Sequence, residues 1–393
     1  MASRSLKRTA LRLRAECLPE GERHYFLAQE ILENQSDGTP LVIDVVKNEP
    51  PRATDDLDAA SLAKWMKHAV EGYAGPLEVL RFAGGQSNPT YQLRTPSQLY
   101  VLRRKPAGQL LASAHAVDRE FRVMHALGQA SFPVPRAFAL CEDESVIGSI
   151  FYVMAMIDGR ILWDGRLPDA SPAERRAIYE AEIDTLAALH RIDPVAIGLG
   201  DYGRPGNYFA RQIARWTRQY VDSDGPRYEA MDRLIEWLPL HLPADRPARI
   251  VHGDYRLDNM ILHPSEPRVL AVLDWELSTL GDPIADLTYL LMHWVTPAHE
   301  RNSLAGLDLE ALGIPSQEEM LTRYLAASGD QLGAPLEWYL AYNLFRFAAI
   351  LHGVAARGRA GNANNARAGL AQGRVGPLAE AAWRFAEKLE SKA

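Results

Sequence analysis

The stretch that decides the fold reads HGDYRLDN at positions 252–259, and it is followed by LDWE at positions 273–276. Two short apolar runs lie between these motifs, joined by the turn-forming sequence HPSEP. This pattern predicts a hairpin in which Asn259, at the start of one strand, lies beside Asp274, at the end of the other. An amide oxygen and a carboxylate are ligands of the kind that Mg²⁺ prefers. We therefore predict a metal site formed by Asn259 and Asp274.

A third polar residue of this stretch, Asp254, lies five positions before Asn259. Phosphoryl transfer needs metal ions on the phosphates and a carboxylate that orients the acceptor hydroxyl and takes its proton. The order Asp, Asn, Asp fits the template of a catalytic loop followed by a metal-binding Asp at a strand end. The alternative is that Asp254 and Asn259 only cap a turn, but their joint spacing with Asp274 favours catalysis.

The composition limits the class of protein. With 393 residues, 47% of them hydrophobic and 24% charged, the chain is typical of globular domains and unlike disordered or coiled-coil proteins. Its net charge of -7 disfavours a nucleic-acid partner. No apolar run approaches the roughly 18 residues that would span a bilayer, so we expect no membrane partner.

The two cysteines bear on the compartment. Only Cys17 and Cys141 are present, which excludes a disulfide scaffold and favours a reducing, cytoplasmic location. Five basic residues precede the first acidic residue, Glu16. They leave a mitochondrial presequence as an alternative to a plain exposed helix.

The pattern along the chain predicts two lobes. Strand-like runs between positions 77 and 104 indicate a three-stranded antiparallel meander, and an amphipathic helix and two further strands follow it. After Gly159 the chain becomes mostly helical. We expect an α+β fold with an N-terminal extension (1–55), a small antiparallel β-sheet lobe that binds nucleotide (56–155) and a larger helical lobe for catalysis and substrate (156–393).

The motifs closely resemble those of the aminoglycoside phosphotransferase and choline kinase superfamily, which has a two-lobed protein-kinase-like fold. The sequences GGQSNPTYQL, YVLRRKP, FPVPR and ELSTLGDPIADL extend the resemblance over about residues 75 to 380. In this detail the chain looks most like the branch that is fused to acyl-CoA dehydrogenases in animals and free-standing in bacteria. The resemblance thus implies a functional link to a separate acyl-CoA dehydrogenase.

The resemblance implies an enzyme that transfers the γ-phosphoryl group of ATP, with Mg²⁺, to a hydroxyl of a small molecule. Asp254 would be the catalytic base, and Asn259 and Asp274 would hold magnesium. The acceptor is expected to be a hydroxy acid or a hydroxyacyl-CoA, with an aminoglycoside or choline-type kinase as the alternative. A catalytically silent nucleotide-binding regulator is an alternative of another class, and the presence of all three polar residues argues against it.

The expected nucleotide site lies in the small lobe. The loop GGQSN at 84–88 separates two strands, where small residues let backbone N–H groups approach phosphates, although a plain hairpin turn has the same sequence pattern. The third strand offers Arg103, Arg104 and Lys105, and the resemblance places the phosphate-binding cation at Arg103. Its expected partner is Glu120 on the next helix. The alternative is that Glu120 is a solvated acid on the surface of that helix. The candidate nucleotide-binding residues are Gly85, Ser87, Asn88, Arg103, Glu120, Met154 and Met156.

Four other residues near the motifs also have expected roles. His252 is expected to brace the loop, although a general base is conceivable at this position. Asp258 is expected to be an exposed acid, with a metal neighbour as the alternative. Glu276 is a candidate for a second metal contact. Asp286 is expected to accept backbone N–H groups and so to tie its helix to the catalytic loop.

The sequence indicates less about the part of the site that binds the acceptor. A helix predicted over 336–351 is apolar nearly all round, so Arg346 should be buried and paired. It is expected to form a salt bridge with Asp286, or else to face an acidic substrate. Arg357 belongs to a Gly/Asn-rich stretch at 356–369 that predicts a loop, either a mobile surface loop or one that meets an anionic acceptor.

Overall fold

The computed structural model describes residues 50–54, 56–82, 88–106, 117–298, 300, 302–359 and 365–391. The chain divides into two compact units, Met1–Pro50 and Pro51–Ala393. All the elements described below lie in the second unit. None of the helices in the described ranges has the length and apolar character needed to cross a bilayer.

The smaller lobe is built on a six-stranded antiparallel sheet of order β1-β2-β3-β4-β6-β5. Its elements are β1 (Arg52–Ala53), α1 (Ala59–Ala69), β2 (Glu78–Arg81), β3 (Thr90–Arg94), β4 (Leu99–Arg104), α2 (Val117–Gln129), β5 (Ala137–Cys141) and β6 (Phe151–Ala155). The predicted meander corresponds to β2, β3 and β4 and is confirmed. Strand β1 comes from the segment predicted as an extension, and the lobe boundaries at 55/56 and 155/156 stay predictions.

The two faces of this sheet pack against different helices because side chains alternate along each strand. Tyr100 and Leu102 of β4 join the cluster that includes Leu62 and Met66 of α1. Val101 faces the other way, into the larger core that includes residues of α2. Arg103 follows Val101 by two residues and therefore lies on the α2 side of the sheet.

The larger lobe is mostly helical, as predicted. Its helices are α3 (Pro172–Arg191), α4 (Tyr208–Asp222), α5 (Glu229–Leu240), α6 (Ile284–Leu291), α7 (Leu309–Leu312), α8 (Gln317–Ser328), α9 (Leu336–Arg359) and α10 (Asn365–Glu390). The loop predicted at 356–369 is wrong over most of its length, because α9 runs to Arg359 and α10 begins at Asn365. Alanines on both sides favour helix, and Arg359 donates hydrogen bonds to the Asp224 carbonyl and to Gln372.

Four short strands hold the central motifs. They are β7 (Arg249–Val251), β8 (Met260–Leu262), β9 (Val269–Val272) and β10 (Thr279–Gly281). Strands β8 and β9 form the predicted hairpin, in which Met260 pairs with Val272, and β7 pairs antiparallel with β10. The segment 252–259 between β7 and β8, called the catalytic loop here, ends in a 3₁₀ turn at Leu257–Asn259.

Candidate active site

Asp254 lies in the catalytic loop with both carboxylate oxygens engaged. The Tyr289 hydroxyl donates to Oδ1 over 2.7 Å, and the Asn259 side-chain amide donates to Oδ2 over 3.0 Å and to the Asp254 carbonyl over 2.8 Å. Arg256 Nε lies 3.4 Å from Oδ2. The side chain keeps 21% of its surface exposed, so the carboxylate is fixed in orientation yet open to a ligand.

The hairpin places Asn259 beside Asp274, as the sequence predicted. The backbone N–H of Leu273 donates to the Asn259 carbonyl over 2.8 Å. Because the Asn259 Nδ2 atom is bound to Asp254, its Oδ1 atom is turned to the opposite side of the amide. Asp274 adopts a left-handed conformation (φ 66°), and its side chain is 36% exposed. An amide oxygen and a carboxylate are the donor types that Mg²⁺ prefers, so the side chains at this hairpin fit the predicted metal in their chemistry.

His252 braces the catalytic loop, in agreement with the prediction. Its Nε2 atom lies 2.8 Å from the Leu273 carbonyl, which can only accept, so Nε2 carries the proton. Its Nδ1 atom accepts the backbone N–H of Asp254 over 3.2 Å. The ring packs on Trp275 with centroids 4.6 Å apart. Both ring nitrogens are hydrogen-bonded to the backbone. The imidazole therefore holds the loop against β9, and neither nitrogen is directed at a substrate as a base.

Asp286 ties α6 to the catalytic loop. Its carboxylate accepts the backbone N–H groups of His252 over 2.5 Å and of Gly253 over 2.8 Å, and it is 1% exposed. Desolvation acts to raise the pKa of Asp286, but His190, whose Nε2 lies 3.5 Å away, together with His252 and the Gly253 N–H outweighs it, so the pKa is lowered. Gly253 has a φ of +86° and a Cβ there would lie 2.8 Å from the Leu277 carbonyl, so this tight turn requires glycine.

Arg103 reaches from the sheet to the hairpin. Its Nη1 atom lies 3.3 Å from Glu120 Oε1, and its Nη2 atom lies 3.0 Å from Asp274 Oδ1 and 3.9 Å from Glu276 Oε2. The alternative of a solvated Glu120 is wrong, because this residue is 1% exposed and accepts the Tyr152 hydroxyl over 3.2 Å. Desolvation raises the pKa of Glu120 to about 7, although the charge of Arg103 acts to lower it.

The structure describes only some of the other candidate nucleotide-binding residues. Gly85 and Ser87 lie outside the described residues. Asn88 is 1% exposed, and its side-chain amide finds no hydrogen-bond partner among the described residues. Met154 lies within β6 between Val101 and Ala137 of the neighbouring strands. The backbone N–H of Met156 donates to the Leu99 carbonyl over 3.4 Å. Their roles in nucleotide binding stay predictions, as does a second metal contact at Glu276.

Asp258 is not exposed, contrary to the expectation. The 3₁₀ turn directs its side chain inward, where it is 1% exposed and lies 3.1 Å from Arg256 Nε. Arg256 therefore bridges this buried carboxylate and Asp254. A second buried carboxylate, Glu182, is fully enclosed, and its pKa is raised well above the ordinary value by desolvation and then by the charge of Asp258.

Sequence reasoning missed Tyr289, whose hydroxyl donates to Asp254 Oδ1 over 2.7 Å. Asp286 and Tyr289 are three positions apart on α6, a spacing that puts both side chains on one helix face. That spacing is the signal that could have revealed it, because Asp286 was already expected to reach the same loop.

Arg346 is buried on α9 as predicted, but its expected salt bridge with Asp286 is wrong. Asp286 is occupied by backbone N–H groups, and Arg346 instead donates to the Gly253 carbonyl. Its guanidinium lies over the Tyr289 ring, 4.9 Å from the centroid. Arg357 is exposed near the end of α9.

Comparison with known proteins assigns this site to a family. The model of the phosphotransferase enzyme family matches residues 78–339, which cover parts of both lobes and every polar residue of the motifs. The chain belongs to this phosphotransferase family. This confirms the recognised superfamily, the kinase-like fold and a phosphotransferase with an alcohol group as acceptor.

The curated relatives of this phosphotransferase are longer proteins. It is 44% identical to "Acyl-CoA dehydrogenase family member 10" of Mus musculus over 89% of this chain and 33% of that protein. It is 44% identical to "Probable acyl-CoA dehydrogenase IBR3" of Arabidopsis thaliana over 78% and 40%, respectively. It is 40% identical to "Acyl-CoA dehydrogenase family member 11" of Homo sapiens over 84% and 43%. The chain thus spans 33% to 43% of the length of these relatives.

Solved structures share the fold of the phosphotransferase. A putative aminoglycoside phosphotransferase from Ralstonia eutropha is 51% identical, with a TM-score of 0.78 over 84% of this chain and 99% of that chain. A mutant of aminoglycoside phosphotransferase APH(4)-Ia, solved with ADP and hygromycin B, is 14% identical, with a TM-score of 0.53 over 82% and 98%. The second likeness shows the common fold.

Proposed function

We propose that this phosphotransferase is an ATP- and Mg²⁺-dependent kinase that phosphorylates a hydroxyl of a small molecule. The observation that carries the proposal is the convergence of three polar residues on one hairpin and loop. Asn259 binds Asp254 through its amide and is joined to the strand end that bears Asp274. Arg103 then connects this group to the sheet lobe.

In this proposal Asp254 is the catalytic base. The acceptor hydroxyl donates to its carboxylate, and the proton passes to Asp254 as the hydroxyl oxygen forms its bond to the γ-phosphorus and the bond to the β-γ bridging oxygen breaks. ADP leaves with the electron pair of that bond. Tyr289 and Asn259 hold the carboxylate so that one oxygen lone pair is directed at the incoming hydroxyl.

The nucleotide side rests on Arg103 and the metal ligands. Arg103, held by Glu120, would contact the phosphates, with Gly85, Ser87 and Asn88 covering them and the main chain at Met154 and Met156 contacting adenine. Asn259 and Asp274 would hold magnesium, which supplies positive charge to the phosphates when bound. Support for ATP comes from APH(4)-Ia, whose structures contain ADP or AMP-PNP.

For the acceptor we propose a hydroxy acid or a hydroxyacyl-CoA. The support is the likeness to relatives named as acyl-CoA dehydrogenase family members. A separate acyl-CoA dehydrogenase is then the proposed functional partner, and the cytoplasm the proposed compartment. An aminoglycoside or choline-type acceptor is the second candidate, favoured by the solved structure with hygromycin B.

The proposal is tested by phosphorus NMR of the purified chain with MgATP and a panel of hydroxy acids, hydroxyacyl-CoA thioesters, aminoglycosides and choline. A new phosphoester signal that appears together with ADP supports the kinase and identifies its acceptor class. Metal-dependent stabilisation by ATP without product from any class would favour the catalytically silent regulator.

A further inference from the structure

Two arginines flank one indole ring beside the catalytic loop. The Arg215 guanidinium lies 4.9 Å from the Trp216 ring centroid, and the Arg346 guanidinium lies 5.6 Å from it. Both charges therefore lie within about 11 Å of each other. Arg215 is exposed on α4, whereas Arg346 is 6% exposed on α9, so the pair extends from the surface inward.

Neither charge is neutralised by an ion pair with any residue that the structure describes. In the described part of the chain, no carboxylate oxygen lies within 4.0 Å of either guanidinium, whereas Arg256, Arg246 and Arg374 each have such a partner. Arg346 uses a hydrogen bond to the Gly253 carbonyl and the face of Tyr289 instead. A buried arginine ordinarily requires a paired carboxylate.

The groups around this pair are donors as well. Trp216 Nε1 and the Tyr342 hydroxyl are buried and have no hydrogen-bond partner within the described ranges. Desolvation raises the pKa of Tyr342 to about 12, and the charges of Arg346 and Arg215 act against that rise. Desolvation lowers the pKa of Arg215, and the charge of Arg346 lowers it further. The surroundings thus offer positive charge and two hydrogen-bond donors, Trp216 Nε1 and the Tyr342 hydroxyl, that no acceptor among the described residues engages.

The pair adjoins the proposed base. Arg346 is bound to the carbonyl of Gly253, the residue before Asp254. It also lies on the ring of Tyr289, whose hydroxyl is bound to Asp254. The carboxylate of Asp254 is already bound by Tyr289, Asn259 and Arg256, and its charge acts on Arg346 without a direct ion pair, so the pair keeps room for a further anion.

We propose that Arg215 and Arg346 form a subsite for an anionic group of the acceptor, a carboxylate or a phosphate, next to the hydroxyl that is phosphorylated. This inference rests on the proposed function, because that function places the acceptor hydroxyl at Asp254. It selects against aminoglycosides and choline, because a cationic acceptor would meet two uncompensated positive charges.

Binding to the Asp254→Asn variant tests the subsite without requiring turnover. The probes are a series of linear hydroxycarboxylates, each paired with its primary amide, and calorimetric titrations in the presence of the non-hydrolysable nucleotide AMP-PNP give the affinities. We expect a preference for the carboxylate over the amide of about tenfold. Hydroxyalkyl phosphates and hydroxyacyl-CoA thioesters form separate arms, which distinguish a carboxylate from a phosphate as the bound group.

The arginine variants assign the preference to the pair. Arg215→Gln, in the same background, should abolish the preference while leaving the affinity for the amide unchanged. Arg346→Lys, which keeps the charge but loses the planar guanidinium, should reduce it. Arg218→Gln, which removes an exposed arginine three positions further along α4, is the matched control and should preserve it.

The outcomes separate this inference from the proposed function. Three results would overturn the subsite, whether or not the wild-type chain phosphorylates an acceptor. They are equal affinity for carboxylate and amide, no affinity for either, and a preference that survives Arg215→Gln. Failure of the wild-type chain to phosphorylate an acceptor that binds in an Arg215-dependent manner would count against the kinase activity and leave the subsite supported.

Discussion

Arg103 Nη2 lies 3.0 Å from Asp274 Oδ1, although the two residues are 171 positions apart in the chain. The contact connects β4 of the sheet lobe to the end of the β8–β9 hairpin. It pairs the proposed phosphate-binding cation with a proposed metal-binding carboxylate. Phosphates and magnesium together can replace this ion pair, because each partner then finds a ligand of opposite charge.

Replacing Arg103 by glutamine should weaken nucleotide binding. The variant loses the charge-assisted contact with phosphate, so we expect the KM for ATP to rise about tenfold or more. Initial rates at varied ATP concentrations measure this. Arg104→Gln is the matched control, because Arg104 lies next in β4 on the opposite face and stacks on Tyr91. An equal rise of KM in both variants would argue against a specific role of Arg103.

Replacing Asp274 by asparagine should weaken metal binding. A neutral amide keeps the size of the side chain but removes the charge that attracts Mg²⁺, so half-maximal activity should require about tenfold more free Mg²⁺. A magnesium titration at saturating ATP measures the shift. Glu276→Gln provides the comparison, and a larger shift there than at Asp274 would exchange their proposed roles.

Replacing Tyr289 by phenylalanine should slow the chemical step. The variant removes the hydrogen bond to Asp254 Oδ1 while keeping the ring under Arg346, so the carboxylate loses one of its orienting contacts. We expect kcat to fall about tenfold with the KM for ATP unchanged. An unchanged kcat would show that Tyr289 is not needed to position the base.

Glu120 should make stability depend on pH. Its pKa of about 7 in the folded chain lies above its ordinary value of 4.5. Between these values the unfolded chain has released the proton and the folded chain retains it, so the stabilising contribution is full below pH 4.5 and is lost as the pH rises through 7. The loss amounts to about 3 to 4 kcal/mol, because the two pKa values differ by about 2.5 and each pKa unit corresponds to about 1.4 kcal/mol.

Urea unfolding of the ligand-free protein from pH 5 to pH 8 measures this dependence. The difference in free energy of unfolding between wild type and Glu120→Gln isolates it, because glutamine does not titrate. We expect the wild type to lose stability relative to the variant as the pH rises. Parallel curves would show that Glu120 is ionised throughout this range.

Much of the catalytic centre could be predicted because it is local in sequence. Asn259 and Asp274 flank one hairpin, so strand pairing alone brings them together. The alternation of β4 likewise fixes the face on which Arg103 lies, and the helix that follows supplies Glu120. Regular spacing within a strand or helix carries this kind of information.

Contacts between elements that are distant in the sequence could not be predicted in the same way. The burial of Asp258 depends on a 3₁₀ turn and on Arg256, neither of which has a periodic signature. The predicted partner of Arg346 is wrong because Asp286 is occupied by backbone N–H groups, which every residue except proline supplies and no motif reveals. The end of α9 was misplaced because glycine and asparagine in 356–369 suggested a loop throughout.

The central claim is that Asp254 is the base of a phosphoryl transfer, and Asp254→Asn tests it most directly. Phosphorus NMR with MgATP and an acceptor that the wild type phosphorylates measures transfer, and calorimetric titration with AMP-PNP measures nucleotide binding. We predict that transfer falls by roughly a hundredfold to ten-thousandfold, with the affinity for nucleotide retained. Transfer at the wild-type rate in this variant would contradict the account.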